Sequence, residues 1–180
     1  MSSPALEPHF HEDSYAYRPN RSALDAVAKA KECCYTVHWM LDMDIKGFFD
    51  NIDYDIKRWL SVPYQLKDGT QEERTKGVPQ GSVVGPILAN LFLHYVFDEW
   101  IKRNYSDISF ERYADDTICH CVSLKQAEFI KRAIRKRFAE CKLEVNEEKT
   151  KIVYCKKNHR DIPYEYIQFN FPGYTFRPDA

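Results

Sequence analysis

Three aspartates have the residue type and spacing to do chemistry together. Asp44 closes a nearly all-apolar run, Thr36 to Ile45, and Asp115 and Asp116 stand side by side in Tyr113-Ala114-Asp115-Asp116-Thr117. Acidic side chains are rarely buried without a partner. If the segments that carry them are neighbours, the carboxylates converge, and two such charges about 5 Å apart at an effective dielectric near 20 repel by roughly 3 kcal/mol. A cation relieves that repulsion. Hard oxygen donors without a His/Cys cage favour Mg²⁺, with Mn²⁺ as a substitute, and these ions complete their shells with water and substrate phosphates. Two of them roughly 3.5–4 Å apart could activate an attacking hydroxyl and stabilise a leaving oxygen in an in-line displacement. The chemistry indicated is phosphoryl or nucleotidyl transfer, although an Asp-Asp pair alone is also ordinary turn composition.

Other candidates are weaker. The stretch Gly77 to Gly85 lacks the terminal Gly-Lys-Ser/Thr of a Walker loop, which disfavours ATP hydrolysis and leaves a turn before a helix as the simple reading. His9 and His11, and Cys119, His120 and Cys121, are soft-metal donors, but no second cluster supplies four ligands, so they read as core or surface filler. The basic residues from Lys125 to Lys142 could neutralise template phosphates or simply form a solvated helix face.

These residues need elements to position them. The run Thr36 to Ile45 suits a central strand covered on both faces, with Asp42 and Asp44 sharing one side. Ile108, Phe110 and Tyr113 lead into the acidic turn and Ile118 to Val122 leave it, which predicts strand, turn, strand. Ser22, with Asp25 three residues on, opens a helix to about Cys34 through a capping box, with Leu24, Val27, Ala28 and Lys31 at helical spacing. Pro86 starts a helix toward Arg103 whose stripe is Ile87, Leu88, Leu91, Phe92, Tyr95 and Val96. Ser123 caps another with Ala127, Ile130, Ala133 or Ile134, and Phe138 inward. Asn51 to Leu60 could form a short helix, Lys67-Asp68-Gly69-Thr70 predicts a hairpin between polar strands, Lys151 to Tyr154 a strand, and Tyr164 to Phe176 a final hairpin broken at Pro172-Gly173. The order is that of an α+β sheet with helices on one face.

Composition fits one soluble globular domain of 180 residues, with 44% apolar and 29% charged residues and a net charge of −1. The average hides a segregation, because Leu124 to Arg160 holds twelve Lys and Arg against five Glu. Six cysteines without a secretory signal or a CxxC pair imply reduced, cytoplasmic thiols. The longest apolar run, Val83 to Phe97, is broken by Gly85, Pro86, Asn90 and His94, so no membrane segment is expected.

The aspartates keep informative company. Asp44-Ile45-Lys46-Gly47-Phe48-Phe49-Asp50, then Gly77-Val78-Pro79-Gln80-Gly81-Ser82, then Tyr113-Ala114-Asp115-Asp116, in that order, resemble the successive active-site motifs of reverse transcriptases. More narrowly, Tyr17-Arg18-Pro19-Asn20-Arg21-Ser22 and the run Pro86 to His94 resemble those of group II intron-encoded proteins, the maturase type. The resemblance covers almost the whole chain. It implies a polymerase palm at 36–180, an antiparallel sheet with helices on one face, preceded by a partial fingers segment at 1–35. It implies that Asp44, Asp115 and Asp116 hold two metals, with Ile45 in the metal set, and that Lys149 of Asn146-Glu147-Glu148-Lys149-Thr150 donates a proton to the leaving pyrophosphate.

By the same resemblance, Phe49 would wall off the sugar 2′ position, and Gln80 and Gly81 would lie along the incoming nucleotide. Arg18, Arg21, Tyr113, Gly173 and Tyr174 would contact nucleic acid, the last two in a hairpin that grips the primer end. The partners implied are an RNA template, a DNA primer, dNTPs and the intron RNA. The alternative is a catalytically silent palm acting as an RNA-binding scaffold for splicing. An RNA-dependent RNA polymerase on the same palm is disfavoured by Phe49. Two departures accompany the resemblance: the expected earlier fingers and later thumb segments are not matched, and a longer helical stretch expected between Asp53 and the Asp68-Gly69 hairpin is nearly absent. They put full activity of the chain by itself in question.

Overall fold

A computed structural model of the protein describes residues 7–48, 64–65, 71–72, 85–155 and 164–177. Helix α1 (Ala23–Cys34) opens with the expected capping box: Asp25 N donates to Ser22 Oγ, and Ser22 N donates back to Asp25 Oδ2 at 2.8 Å. Strand β1 (Trp39–Met43) follows, then a short antiparallel pair, β2 (Tyr64–Gln65) and β3 (Gln71–Glu72), at the two ends of the predicted hairpin. The Asn51 to Leu60 segment, the Lys67 to Thr70 turn and the Gly77 to Ser82 motif lie outside the described residues. Helix α2 (Gly85–Leu93) passes through a π-helical turn, His94–Asp98, into α3 (Glu99–Asn104). Strands β4 (Ser109–Tyr113) and β5 (Asp116–Cys121), helix α4 (Leu124–Glu140), strand β6 (Lys151–Tyr154) and the hairpin β7 (Phe169–Phe171) and β8 (Tyr174–Phe176) complete the order.

The main sheet has the order β4-β5-β1-β6, every neighbour antiparallel, so β1 is central as its apolar run predicts. Leu41, Met43, Phe110, Cys119 and Cys121 point to one face and pack against Phe97 and Ile101 from the α2–α3 helix and Ile130, Ile134 and Phe138 from α4. Met40, Ile118 and Val153 point to the other face, where Ala26 and Ala30 of α1 and Phe169 and Phe171 of β7 cover them. The two long helical elements therefore share one face, as expected, while α1 closes part of the other. Ser123 caps α4, and its inward stripe is Ala127, Ile130, Ile134 and Phe138.

Two inward stripes differ from expectation. In α1 the buried residues are Ala26 and Ala30, while Leu24 is 61% exposed. Small side chains at i, i+4 let the helix axis lie close on the sheet, and a leucine there would hold it away. In the Pro86 helix the π turn, where Glu99 N reaches back to His94 O, adds a residue to one turn and rotates the remainder of the helix. Gly85, Ala89, Asn90 and Leu93 are already inward before this turn, and beyond it Tyr95 is turned to solvent, 58% exposed, while His94 and Asp98 come onto the same buried side as Asn90.

Those polar residues receive Arg112, which is fully buried. Its Nε and one terminal nitrogen donate to the two carboxylate oxygens of Asp98, at 2.7 and 2.6 Å. The remaining donors go to Asn90 Oδ1 at 2.7 Å, Ser14 Oγ at 2.9 Å and the Ala114 carbonyl at 3.0 Å. All five guanidinium N–H donors are thereby used. Residues 13–15 add a short parallel contact to the β4 edge, with Arg112 N donating to Asp13 O and Tyr15 N to Arg112 O.

Burial pushes the Asp98 carboxyl up, but the Arg112 charge and its hydrogen bonds outweigh burial and hold it below the usual carboxylate range. A lowered folded-state pKa contributes stability above the ordinary value that is lost as pH falls through the folded one. Asp98→Asn, which leaves a buried guanidinium charge unpaired, is expected to lower the unfolding free energy by about 3–5 kcal/mol. Urea unfolding at neutral pH reads that loss, and the same series below pH 4 is expected to show the two proteins converging.

Candidate active site

The placement of the aspartates follows from strand register. Met43 lies across from Thr117 and Asp42 from Ile118, so the next pair along the ladder brings Asp44 opposite Asp116. Paired residues of neighbouring strands share a face, and this one is the face left free by the two long helical elements. Asp115 occupies the two-residue connection between Tyr113 and Asp116, which pair directly. The other residue of that turn, Ala114, has φ +58°, a left-handed conformation that L side chains adopt at a cost of about 1–2 kcal/mol. The Arg112 hydrogen bond to the Ala114 carbonyl holds it there.

Asp44 is fixed from its backbone. Its N–H donates to Thr150 Oγ1 at 3.3 Å and its carbonyl accepts from Asn146 N at 2.9 Å, while Ile45 bridges Val145. Thr150 N closes the 146–150 turn on Asn146 O at 2.8 Å. This turn carries Lys149, whose Nζ stands 3.5 Å from Asp44 Oδ2 and is otherwise exposed. A cleft of about 700 Å³ opens here, bounded by Asp42, Asp44, Asp116, Lys149, Lys151 and the β7 strand.

The carboxylates feel one another. Burial raises the Asp116 carboxyl, and the Asp115 and Asp44 charges raise it further. Burial also raises Asp115, with Asp44 adding to it and Lys149 and Arg112 opposing. Asp42 is pushed up to about 7, by burial first and then by Asp116, against the pull of Lys151. Converging carboxyls held above their ordinary range by burial and mutual repulsion, with oxygen donors alone, fit a hard divalent cation. The side chain of Ile45 is hydrocarbon and buried in the apolar core, and the one oxygen it offers is its main-chain carbonyl.

The other expected site residues divide. Tyr113 is half-buried and pairs with Asp116. Gly173, at φ +81°, makes the turn between β7 and β8, and Tyr174 beside it is 49% exposed. Arg21 is exposed and lies over the Tyr15 ring. Phe49, Gln80 and Gly81 lie outside the described residues.

Packing bears on two sets of cations. The Arg18 side chain is 4% exposed and bound to Glu7 Oε1 and to the His11 and Ser14 carbonyls, so it braces its own loop instead of facing a phosphate. Helix α4 packs on the face opposite the carboxylates, and its Lys131 and Arg135 pair with Glu147 while Arg137 donates to the Val96 carbonyl. The basic helix face is therefore directed away from the cleft.

Two residues given no role from the sequence belong to the site. Asp42 was legible through its i−2 spacing from Asp44. Tyr17, at φ +59° and 43% exposed, has its hydroxyl raised by partial burial and then by the Asp115 charge.

Residues 1–176 match the family described as reverse transcriptase (RNA-dependent DNA polymerase). The chain belongs to the reverse transcriptase family. It is 34% identical over 105 residues to the group II intron-encoded protein LtrA of Lactococcus lactis subsp. cremoris, which covers 49% of this chain and 18% of that protein. An uncharacterised 91 kDa protein in the cob intron of Schizosaccharomyces pombe is 31% identical over 123 residues, 58% of this chain and 15% of that protein. This reverse transcriptase chain thus spans less than a fifth of the length of either relative. Among solved structures, apo telomerase from Candida tropicalis superposes with a TM-score of 0.61 at 14% identity, over 96% of this chain and 41% of that one. Telomerase from Candida albicans with a telomeric RNA fragment gives 0.64 at 12%, over 92% and 33%. At such identities the likeness is one of fold, and that fold is the polymerase palm.

An aspartate raised in the folded state carries no penalty below its ordinary pKa and a growing one as pH rises toward the folded value. Metal-free protein is therefore expected to lose thermal stability between about pH 4 and about pH 7, the range spanned by the unfolded and folded values of Asp42. A Tm series in chelator checks this, with Asp42→Asn expected to flatten the decline and millimolar Mg²⁺ to oppose it in the unsubstituted protein.

Proposed function

We propose that this reverse transcriptase palm is of the group II intron type and serves RNA-directed DNA synthesis, adding deoxynucleotides from dNTPs to a primer 3′-OH on an RNA template. The observation that carries the reading is the convergence of Asp44 and Asp116 across the β1–β5 ladder, with Asp115 at its tip, on the open face of the sheet. Asp44, Asp115 and Asp116, with the Ile45 carbonyl, would hold Mg²⁺, which supplies activation of the attacking hydroxyl and stabilisation of the leaving oxygen when bound.

The chain's own groups account for the rest. Lys149, 3.5 Å from Asp44, is at the right distance to hold its proton beside the carboxylates and give it to a departing pyrophosphate. Phe169 and Asn170 of β7 line the cleft, and the turn that follows them carries Gly173 and exposed Tyr174, which suit a primer end. Tyr17 and Tyr113 flank the acidic turn and offer aromatic surface to a base or sugar. Intron RNA is the further partner that fits this class of protein, since the curated relatives include intron-encoded proteins.

Manganese-supported primer extension on an RNA template tests the reading, with Asp115→Asn as the matched control. Extension is expected with the unsubstituted chain and a fall to background with the variant. A folded chain without extension would mean that these residues form a palm that does not polymerise by itself. Lys149→Ala is expected to lower the extension rate about 10²-fold while leaving primer binding unchanged.

A further inference from the structure

On the same sheet face as the aspartates, but toward the other end of the strands, Glu111 of β4 and His120 of β5 meet side by side. Register places Ser109 across from His120 and Glu111 across from Ile118, so the two are diagonal neighbours. Four residues of extended strand separate His120 from Asp116, roughly 13 Å, which makes this a place apart from the cleft. Both side chains are buried, at 0% and 4% exposure. Glu111 Oε2 contacts His120 Nε2, and His120 Nδ1 lies 2.9 Å from Met40 Sδ. Cys33, in the last turn of α1, brings its sulfur to 3.4 Å from the other Glu111 oxygen. The Cys33, Glu111 and His120 donor atoms all lie within 4.8 Å of one another.

The proton inventory of this cluster is constrained. A thioether sulfur only accepts, so Nδ1 carries a hydrogen, and an ionised carboxylate only accepts, so Nε2 can face it only through a proton or a cation. The thiol is pushed up to about 12 by burial and by the Glu111 charge, and keeps its proton unless a cation displaces it. Replacing the thiol proton and the Nε2 proton of an imidazolium by one divalent ion leaves the net charge of the cluster at zero. Exchange therefore adds no net charge to the buried cluster.

We propose that Cys33, Glu111 and His120 form a binding site for a borderline divalent transition metal, Zn²⁺ foremost, with solvent completing the fourth position on the side of half-buried Cys33. Thiolate, imidazole and carboxylate are the ligand types zinc takes, and the thiolate discriminates against Mg²⁺. Met40, accepting the Nδ1 hydrogen, fixes the tautomer that leaves Nε2 free for the metal. Bound there, the ion joins the end of α1 to the β4–β5 hairpin, whose turn carries Asp115 and Asp116. This site does not depend on polymerase activity.

Cobalt titration of the metal-free, reduced protein tests it by absorption. One Co²⁺ per chain is expected to produce a thiolate-to-cobalt charge-transfer band, displaced by one equivalent of Zn²⁺ and indifferent to excess Mg²⁺. The band is expected to persist in the Asp115→Asn/Asp116→Asn double variant, to vanish in Cys33→Ser, and to need about tenfold or more Co²⁺ in Glu111→Gln. A measurement without substitutions accompanies it: Zn²⁺ is expected to protect Cys33 from alkylation by iodoacetamide, located by peptide mass spectrometry. Absence of the band in the unsubstituted protein, its survival in folded Cys33→Ser, or alkylation of Cys33 unaffected by Zn²⁺ would each overturn the proposal.

Discussion

A guanidinium removed from water must find an acceptor for each of five N–H groups and a counter-charge for its cation. Arg112 does both by joining three parts of the chain to its own strand: Asp98 and Asn90 on the helix, Ser14 in the N-terminal segment and the Ala114 carbonyl in the acidic turn. Everything at the acidic end of the sheet depends on this. The helix can present Asn90 and Asp98 together because the π turn after Leu93 rotates it, and Ala114 can stay at φ +58° because the arginine holds its carbonyl. A buried pair of this kind adds little to net stability compared with apolar packing. What it contributes is register and position: it ties the turn carrying Asp115 to a helix on the opposite face of the sheet.

That division between faces organises the rest of the molecule. On one side, Phe97, Ile101, Ile130, Ile134 and Phe138 pack the sheet, and the burial of these large side chains is the main apolar contribution to the fold. On the other side the cover is partial. Alanines of α1 and phenylalanines of β7 protect the middle of the sheet, while its end is left to Asp42, Asp44 and Asp116. Asp42 and Asp116 are raised there by burial and by neighbouring carboxylates, so the protein retains an unfavourable charge arrangement that a cation would relieve. Lys149 at 3.5 Å from Asp44 offsets part of it, and because that lysine is exposed its contribution is small.

Much of this was legible in the chain. Asp44 after an apolar run and Asp115-Asp116 in a turn between alternating segments predicted the strands and the acidic tip, and the ordered motifs pointed to the reverse transcriptase family to which the chain belongs. Ser22 with Asp25, and Ser123 before an amphipathic run, marked helix starts because a cap is a contact between residues three apart. Local hydrogen bonding and hydrophobic period are properties of consecutive residues, and they survive without knowledge of the partner.

What consecutive residues cannot specify is which far segment each side chain meets. Leu24 looks like a core residue by period, yet the sheet accepts only the alanines of α1 at close approach. Arg18 has the appearance of a phosphate ligand, yet the loop around it claims its guanidinium. His120 reads as filler, Cys33 as one more reduced thiol and Glu111 draws no reading, until a helix end and two strands place them together. The basic stripe of α4 announces a charged surface but not that it lies behind the sheet. The sequence by itself determined the elements, the acidic chemistry and the family. Only tertiary packing decided the faces, because burial and electrostatic partnership depend on contacts between segments that no local pattern encodes.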